Sequence, residues 1–138
     1  MIGITVLVVA LAVATAVGLF VRSRSGRVRS TDAQPESPEL RGLLLDAGAT
    51  LDTPTILHFS ADWCGPCAAV RRVVGQVLSD TDGPAELELD IDAHPELARE
   101  FGVLSLPTTF VLDRTLTQRA RISGVPTAAA LRSALVDL

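Results

Sequence analysis

The residues of this sequence best suited to chemistry are its two cysteines, which stand in the segment Trp63-Cys64-Gly65-Pro66-Cys67. A thiolate rather than a thiol attacks disulfides, so a reactive cysteine needs its negative charge stabilised. The unpaired N–H groups and the positive dipole end of a helix N-terminus provide that stabilisation. The two-residue spacing lets the second thiol reach the first, so that a mixed disulfide can be resolved within the same protein. The motif therefore predicts a redox-active cysteine pair.

The elements around the motif are expected to position the cysteines at a helix N-terminus. A buried-strand run at residues 55–59 ends just before the motif, and a helical pattern with apolar residues at a spacing of three to four extends from residue 64 to about 78. Gly65 allows a tight turn between the two elements. Pro66 opens the helix without removing a hydrogen bond that the helix needs.

Two other interpretations of the cysteine pair are weaker. A zinc site normally requires four ligands, and because there is no second pair of cysteines, His58 and His94 would have to complete it. A purely structural disulfide over so short a loop would restrict the unfolded chain very little. We therefore expect no metal and no cofactor at this site.

The rest of the sequence alternates between helical and strand patterns. Helical patterns cover residues 40–47, 95–101 and 127–136, and strand patterns cover residues 85–91, 108–112 and 119–122. The last two strands are predicted to pair as a hairpin, although their connection is longer than the tightest hairpins use. The order α-β-α-β-α-β-β-α predicts an α/β domain with a mixed sheet.

An apolar run fills the beginning of the sequence, where the twenty residues from Ile2 to Val21 carry no charge. At about 1.5 Å per residue this run measures roughly 30 Å, which matches the hydrocarbon core of a bilayer. The alternative is a cleaved signal peptide, which has basic residues before a shorter apolar stretch of about 7–15 residues. Because no Lys or Arg precedes this longer run, residues 1–21 are predicted to form an uncleaved transmembrane helix.

Charge is distributed unevenly along the chain. Four arginines lie within residues 22–29, whereas the chain from residue 30 onward holds eight arginines against sixteen acidic residues, a net charge of −8. Basic residues beside a transmembrane end favour the cytoplasmic side, so we predict a single-pass protein with a cytoplasmic domain; an extracytoplasmic domain is the alternative. So acidic a domain argues against nucleic-acid binding, which depends on phosphate neutralisation.

Residues 22–38 are predicted to be a linker, because this Arg-rich and then Pro-containing stretch has no periodic pattern. Seventeen residues of flexible coil would span roughly 20–25 Å on average. The predicted division of the chain is therefore a transmembrane helix over 1–21, a linker over 22–38 and one domain over 39–138.

Four segments of that domain resemble the thioredoxin family, in the family's order and at similar separations. They are FSADWCGPC (59–67), IDAHP (91–95), FGVLSLPT (101–108) and SGV (123–125). The resemblance covers about residues 39–138 and excludes the apolar run and the linker. It implies an α/β thioredoxin-like fold, a central mixed β-sheet flanked by helices, preceded here by one transmembrane helix.

The resemblance also implies roles for individual residues. Cys64 would be the exposed nucleophile and Cys67 the resolving thiol. Pro107 would be cis and face the cysteines, which leaves the backbone of Leu106 free to pair with an extended substrate strand. The substrate-binding residues that it implies are Trp63, Gly65, Pro66, Leu106 and Pro107.

His58 departs from the family pattern, because the family usually has a buried carboxylate at this position that is thought to move a proton for the resolving cysteine. Histidine titrates near pH 6.5 and could do the same. The other interpretation, which we prefer, is a core-facing imidazole hydrogen-bonded to the backbone. Glu88 replaces the lysine that partners the family's carboxylate, so that charged pair is absent as a unit.

Together these features predict a membrane-tethered thiol–disulfide oxidoreductase that reduces protein disulfides through Cys64 and Cys67. A cytoplasmic location, where thiols are kept reduced, favours reduction, as does the Gly-Pro dipeptide, which resembles that of reducing thioredoxins. The expected partners are disulfide-containing proteins, an upstream reductant and the lipid bilayer. The alternatives are a non-catalytic thioredoxin-like scaffold and a dedicated electron relay for one membrane partner.

Overall fold

The computed structural model describes residues 2–24, 26–30, 37–136 and 138. In chain order, the described elements are α1 Ile2–Arg24, β1 Val28–Ser30, α2 Pro38–Asp46, β2 Thr55–Ser60, α3 Cys67–Ser79, β3 Ala85–Asp90, α4 Pro95–Glu100, β4 Thr108–Leu112, β5 Gln118–Ser123 and α5 Ala128–Leu135. The strands form one sheet in the order β1-β5-β4-β2-β3. Strands β2 and β3 are parallel and the other pairs are antiparallel, which confirms the predicted mixed sheet.

Helices cover both faces of the sheet, because alternate residues of each strand point to opposite sides. Leu57 and Phe59 of β2 pack into a core cluster with Leu44 of α2 and Leu97 of α4. Ile56, on the opposite face of the same strand, packs into a second cluster with residues of α3 and α5. Every residue of β2 is therefore buried, including the polar Thr55, His58 and Ser60.

Helix α1 contains the apolar run. Its segment Gly3–Phe20 has a mean hydropathy of 2.5, and none of it is buried. Length and composition make this helix a candidate membrane span, and a signal sequence near the N-terminus would meet the same criteria.

Part of the stretch predicted as linker belongs to regular structure instead. Helix α1 continues to Arg24, and Val28–Ser30 forms β1, which pairs antiparallel with β5 so that Val28 lies opposite Ile122. The prediction of a continuous linker over residues 22–38 is therefore wrong at these positions. Strand β1 is stabilised by pairing with a distant strand, which leaves no periodic signal in the local sequence. Residues 25 and 31–36 of the predicted linker lie outside the described residues, as do residue 1 of the predicted transmembrane helix and residue 137.

The helix after the motif also begins later than predicted, at Cys67 instead of Cys64, with Pro66 as its N-cap. The amide of Cys64 donates to the carbonyl of Ala61 at 3.0 Å, and the amide of Cys67 donates to the carbonyl of Cys64 at 3.2 Å. These two bonds close turns that carry the chain from the end of β2 into α3. The first cysteine thus lies in a turn and the second in the first position of the helix.

Candidate active site

The two cysteines differ in their accessibility. Cys64 and Cys67 are joined by a disulfide with an S–S distance of 2.07 Å. Cys67 is 1% exposed, whereas Cys64 is half-buried and is followed by the exposed residues Gly65 and Pro66. An incoming sulfur can therefore approach Cys64 but not Cys67.

The peptide bond between Leu106 and Pro107 is cis, as the resemblance implied. Thr108, the next residue, lies opposite Phe59 near the end of β2, so this segment lies at the same edge of the sheet as the cysteines. The backbone N–H and C=O of Leu106 make no hydrogen bond to any residue that the structure describes. Such an unpaired backbone is suited to binding an extended peptide by main-chain hydrogen bonds.

Two large apolar side chains are exposed in the segments that carry the motif and the cis-proline. Trp63 is 71% exposed, and its indole N–H donates to Oδ2 of Asp92 at 3.4 Å. Leu104, three residues before Pro107, is 94% exposed. Sequence reasoning identified Trp63 and missed Leu104, whose only signal is a large apolar residue in a loop.

His58 is 1% exposed and its Nε2 lies 2.9 Å from Oε1 of Glu86. The prediction that the imidazole would bond to the backbone is therefore wrong in its partner, which is a carboxylate of the neighbouring strand β3. The alternation of β3 explains this contact, because Glu86 and Glu88 project from the same face on either side of Leu87. His58 pairs in register with Glu88 across the two parallel strands.

A second charged pair links this face to α3. Nε of Arg71 donates to both carboxylate oxygens of Glu88, at 2.8 and 3.0 Å. The hydrogen bond from Arg71 holds the pKa of Glu88 below its ordinary value, against the opposing effect of partial desolvation. Arg71 is one helical turn after Cys67, so the pair connects the second turn of α3 to β3, the strand beside His58. Sequence reasoning missed both Arg71 and Glu86.

The same side chains include a group that could hold a metal ion, because one ligand atom each from His58, Glu86 and Glu88 lies within 4.8 Å of the others. Both carboxylates already have partners, Glu86 in His58 and Glu88 in Arg71. Within the described part of the chain, neither cysteine nor His94 belongs to a cluster of three such side chains. This cluster of possible metal ligands is therefore separate from the cysteine pair.

Comparison with known proteins identifies the domain. The family model described as Thioredoxin matches residues 47–137. Thioredoxin from Mycolicibacterium smegmatis is 36% identical over 87 residues, which cover 61% of this chain and 77% of that protein. The solved structure of a mutant thioredoxin from Halobacterium salinarum is 30% identical, with a TM-score of 0.55 over 71% of this chain and 80% of that one.

Other relatives match over a smaller share of their length. A bifunctional thioredoxin reductase/thioredoxin from Mycobacterium leprae is 37% identical over 86 residues, which are 62% of this chain and 19% of that protein. The chain thus spans about a fifth of this relative. The family match does not include helix α1 or strand β1.

Proposed function

Because the chain belongs to the thioredoxin family, we propose that it is a membrane-tethered oxidoreductase that reduces disulfides in other proteins. The observation that carries this proposal is the pair formed by the accessible Cys64 and the shielded Cys67, at a strand-to-helix turn beside the cis peptide bond of Pro107. A scaffold needs no such pair, so the cysteines favour exchange chemistry over the non-catalytic alternative.

The reduced protein acts in two steps. The Cys64 thiolate attacks one sulfur of a substrate disulfide, the substrate S–S bond breaks, and the leaving thiolate takes up a proton. Cys67 then loses its proton and attacks the Cys64 sulfur of the mixed disulfide, which releases the second substrate thiol. Two electrons pass from the dithiol to the substrate, and the Cys64–Cys67 disulfide forms.

His58 is proposed to accept the proton that Cys67 loses. Its position supports this role, because Ile56 and His58 alternate onto the face of β2 that α3 covers, and Ile56 packs with Val70 one turn beyond Cys67. The hydrogen bond between the imidazole and Glu86 fixes the ring and would stabilise the positive charge that it gains. His58 is buried, so a proton that it holds is shielded from exchange with solvent.

The substrate is proposed to bind as an extended segment over the cis-proline. The unpaired backbone of Leu106 supplies main-chain hydrogen bonds, and the exposed Trp63, Gly65 and Pro66 supply contact surface around the accessible sulfur. Pro107 is buried and packs against the domain beneath this segment.

Helix α1 is proposed to anchor the domain, on the grounds of its length, its apolar composition and its exposure. The four arginines within residues 22–29 favour placing the domain on the cytoplasmic side. We propose a thioredoxin reductase as the upstream reductant, because the M. leprae relative is a bifunctional thioredoxin reductase/thioredoxin.

The test is thiol trapping with the full chain in detergent. Cys67→Ala is expected to accumulate a mixed disulfide with oxidised insulin through Cys64, whereas Cys64→Ala accumulates none and reduces no insulin. Ala at position 67 fits the buried site because it is smaller than cysteine. Unchanged insulin reduction by Cys64→Ala would overturn the proposal, and a wild-type protein that reduces no insulin would support the scaffold.

A matched experiment examines His58. His58→Asn keeps a polar side chain beside Glu86 but cannot accept the proton, so we expect slower release of the mixed disulfide with little change in the first attack. If both steps keep the wild-type rate and the same dependence on pH, the proton role is refuted.

A further inference from the structure

The membrane helix and the sheet are joined by a very short connection. Helix α1 ends at Arg24 and strand β1 begins at Val28. Between them, the amide of Gly26 donates to the carbonyl of Ser123 at 2.7 Å. Gly26 has a φ of +78°, and a Cβ at this position would lie 2.5 Å from the carbonyl oxygen of Val125. The chain is thus fixed onto the domain two residues after the helix ends.

This attachment lies at the same edge of the sheet as the redox site. Val28 at the start of β1 lies opposite Ile122, which lies opposite Thr109, which in turn lies opposite His58 near the end of β2. Strand β1 therefore starts where β2 ends. A hydrogen-bond route gives the same placement, because Gly124, next to the residue that binds Gly26, donates to the carbonyl of Pro107 at 2.9 Å.

Chain geometry limits how far the site can lie from the end of the helix. The two residues from Arg24 to Gly26 extend at most about 7 Å. Crossing from β1 to β2 takes three strand spacings, about 14 Å in all. The four residues from Ser60 at the end of β2 to Cys64 add at most about 14 Å. Cys64 therefore stays within about 35 Å of the end of α1, whereas a free linker of the predicted length would let the domain turn its site in any direction.

We propose that the substrates of this site are disulfides close to the bilayer, in the juxtamembrane segments of proteins that are themselves membrane-bound. The inference rests on the proposed function, since it takes α1 as the anchor and Cys64 as the nucleophile. The tether holds the edge of the sheet that carries Cys64 near the membrane surface. A disulfide on a short stalk in the same bilayer meets that edge at high effective concentration, and one held far above the bilayer cannot be reached.

The experiment compares two reporters in nanodiscs that contain the full chain. Each reporter is a single-span peptide with a fluorophore and quencher joined through a disulfide. In the near reporter the disulfide directly follows the span, and in the far reporter a 40-residue helical spacer of about 60 Å intervenes. Pre-reduced protein, freed of excess dithiol, is measured in a single turnover. The near reporter is expected to be cleaved at least about tenfold faster than the far one.

In the variant, a 20-residue Gly/Ser segment is inserted into the connection between Arg24 and Gly26. In the matched control, the same segment is appended after Leu138. The insertion is expected to lower the near-to-far ratio at least about threefold, and the control to keep the wild-type ratio. Equal rates for the two reporters with the wild-type chain, or an unchanged ratio after the insertion, would overturn the inference. Reduction of soluble insulin distinguishes the two proposals. A wild-type chain that does not reduce the disulfides of insulin, or that carbonate releases from membranes, refutes the proposed function itself.

Discussion

Gly26→Ala tests the attachment of the segment after helix α1 to the domain. With a φ of +78°, an alanine at this position costs about 1–2 kcal/mol relative to glycine. The added Cβ would also lie 2.5 Å from the carbonyl oxygen of Val125, so either that backbone or β1 must move. Release of β1 limits the total cost, because β1 has only three residues at the edge of the sheet. Since each lost hydrogen bond costs about 0.5–1.5 kcal/mol, we expect a stability loss of about 1–3 kcal/mol.

The assay is denaturant unfolding of the full chain in detergent, together with amide hydrogen exchange at β1 and at the β5 residues that face it. Gly42→Ala is the matched control, because this glycine lies within helix α2 with nothing within 4 Å of its added Cβ. The control is expected to be neutral or to stabilise the protein by up to about 1 kcal/mol. Equal stability of the two variants, or unchanged exchange along β5 in Gly26→Ala, would refute the attachment.

Three further predictions concern the domain. Burial acts to raise the pKa of Asp113, but hydrogen bonds from the β4–β5 turn outweigh it and lower that pKa. Asp113→Asn should therefore lose about 1–2 kcal/mol in unfolding measurements at neutral pH, a difference that disappears as the pH falls through the folded-state pKa. Arg71→Gln should raise the pKa of Glu88 towards its ordinary value in an NMR titration, with Arg71→Lys intermediate. Phe110 is fully buried, and its ring centroid lies 4.7 Å from that of Phe101. Phe110→Ala should therefore lower the free energy of unfolding, measured with denaturant, by about 3–5 kcal/mol.

Elements specified by local pattern could be predicted from the sequence. All six residues of β2 are buried, and the apolar residues Ile56, Leu57 and Phe59 identified it as a buried strand. The valines of α3 at positions 70, 74 and 77 face the core at helical spacing. The cysteine motif stands between these two elements. The cis bond of Pro107 followed from the family resemblance, since a proline at the start of a strand is otherwise compatible with either isomer.

Strand β1 could not be predicted in the same way. Val28 is its one apolar residue and stands between Arg27 and Arg29, a pattern typical of a solvated segment. Its stability comes from pairing with Ile122 and from packing beside α5, both far along the chain. Local periodicity carries no information about such partners, and Gly26, which makes the attachment possible, resembles any loop glycine in sequence.

The partner of His58 depended on strand register for the same reason. A parallel pairing shifted by one residue would place Leu87 instead of Glu86 and Glu88 on the face beneath α3. Periodicity alone predicts that Glu86 and Glu88 share a face of β3. It does not predict that His58 is the residue of β2 that lies beside them.

The register that the chain adopts determines which charged side chains surround His58. An unprotonated imidazole can be buried without burying an ion, and its hydrogen bond to Glu86 satisfies one ring nitrogen. Glu88 has its own counterion in Arg71, so the cluster carries one net negative charge while His58 is neutral. A proton on the imidazole would bring that net charge to zero. The resemblance implies a carboxylate and a lysine at these positions, whereas this chain has His58 and Glu88, so the proton acceptor that we propose is an imidazole instead of a carboxylate.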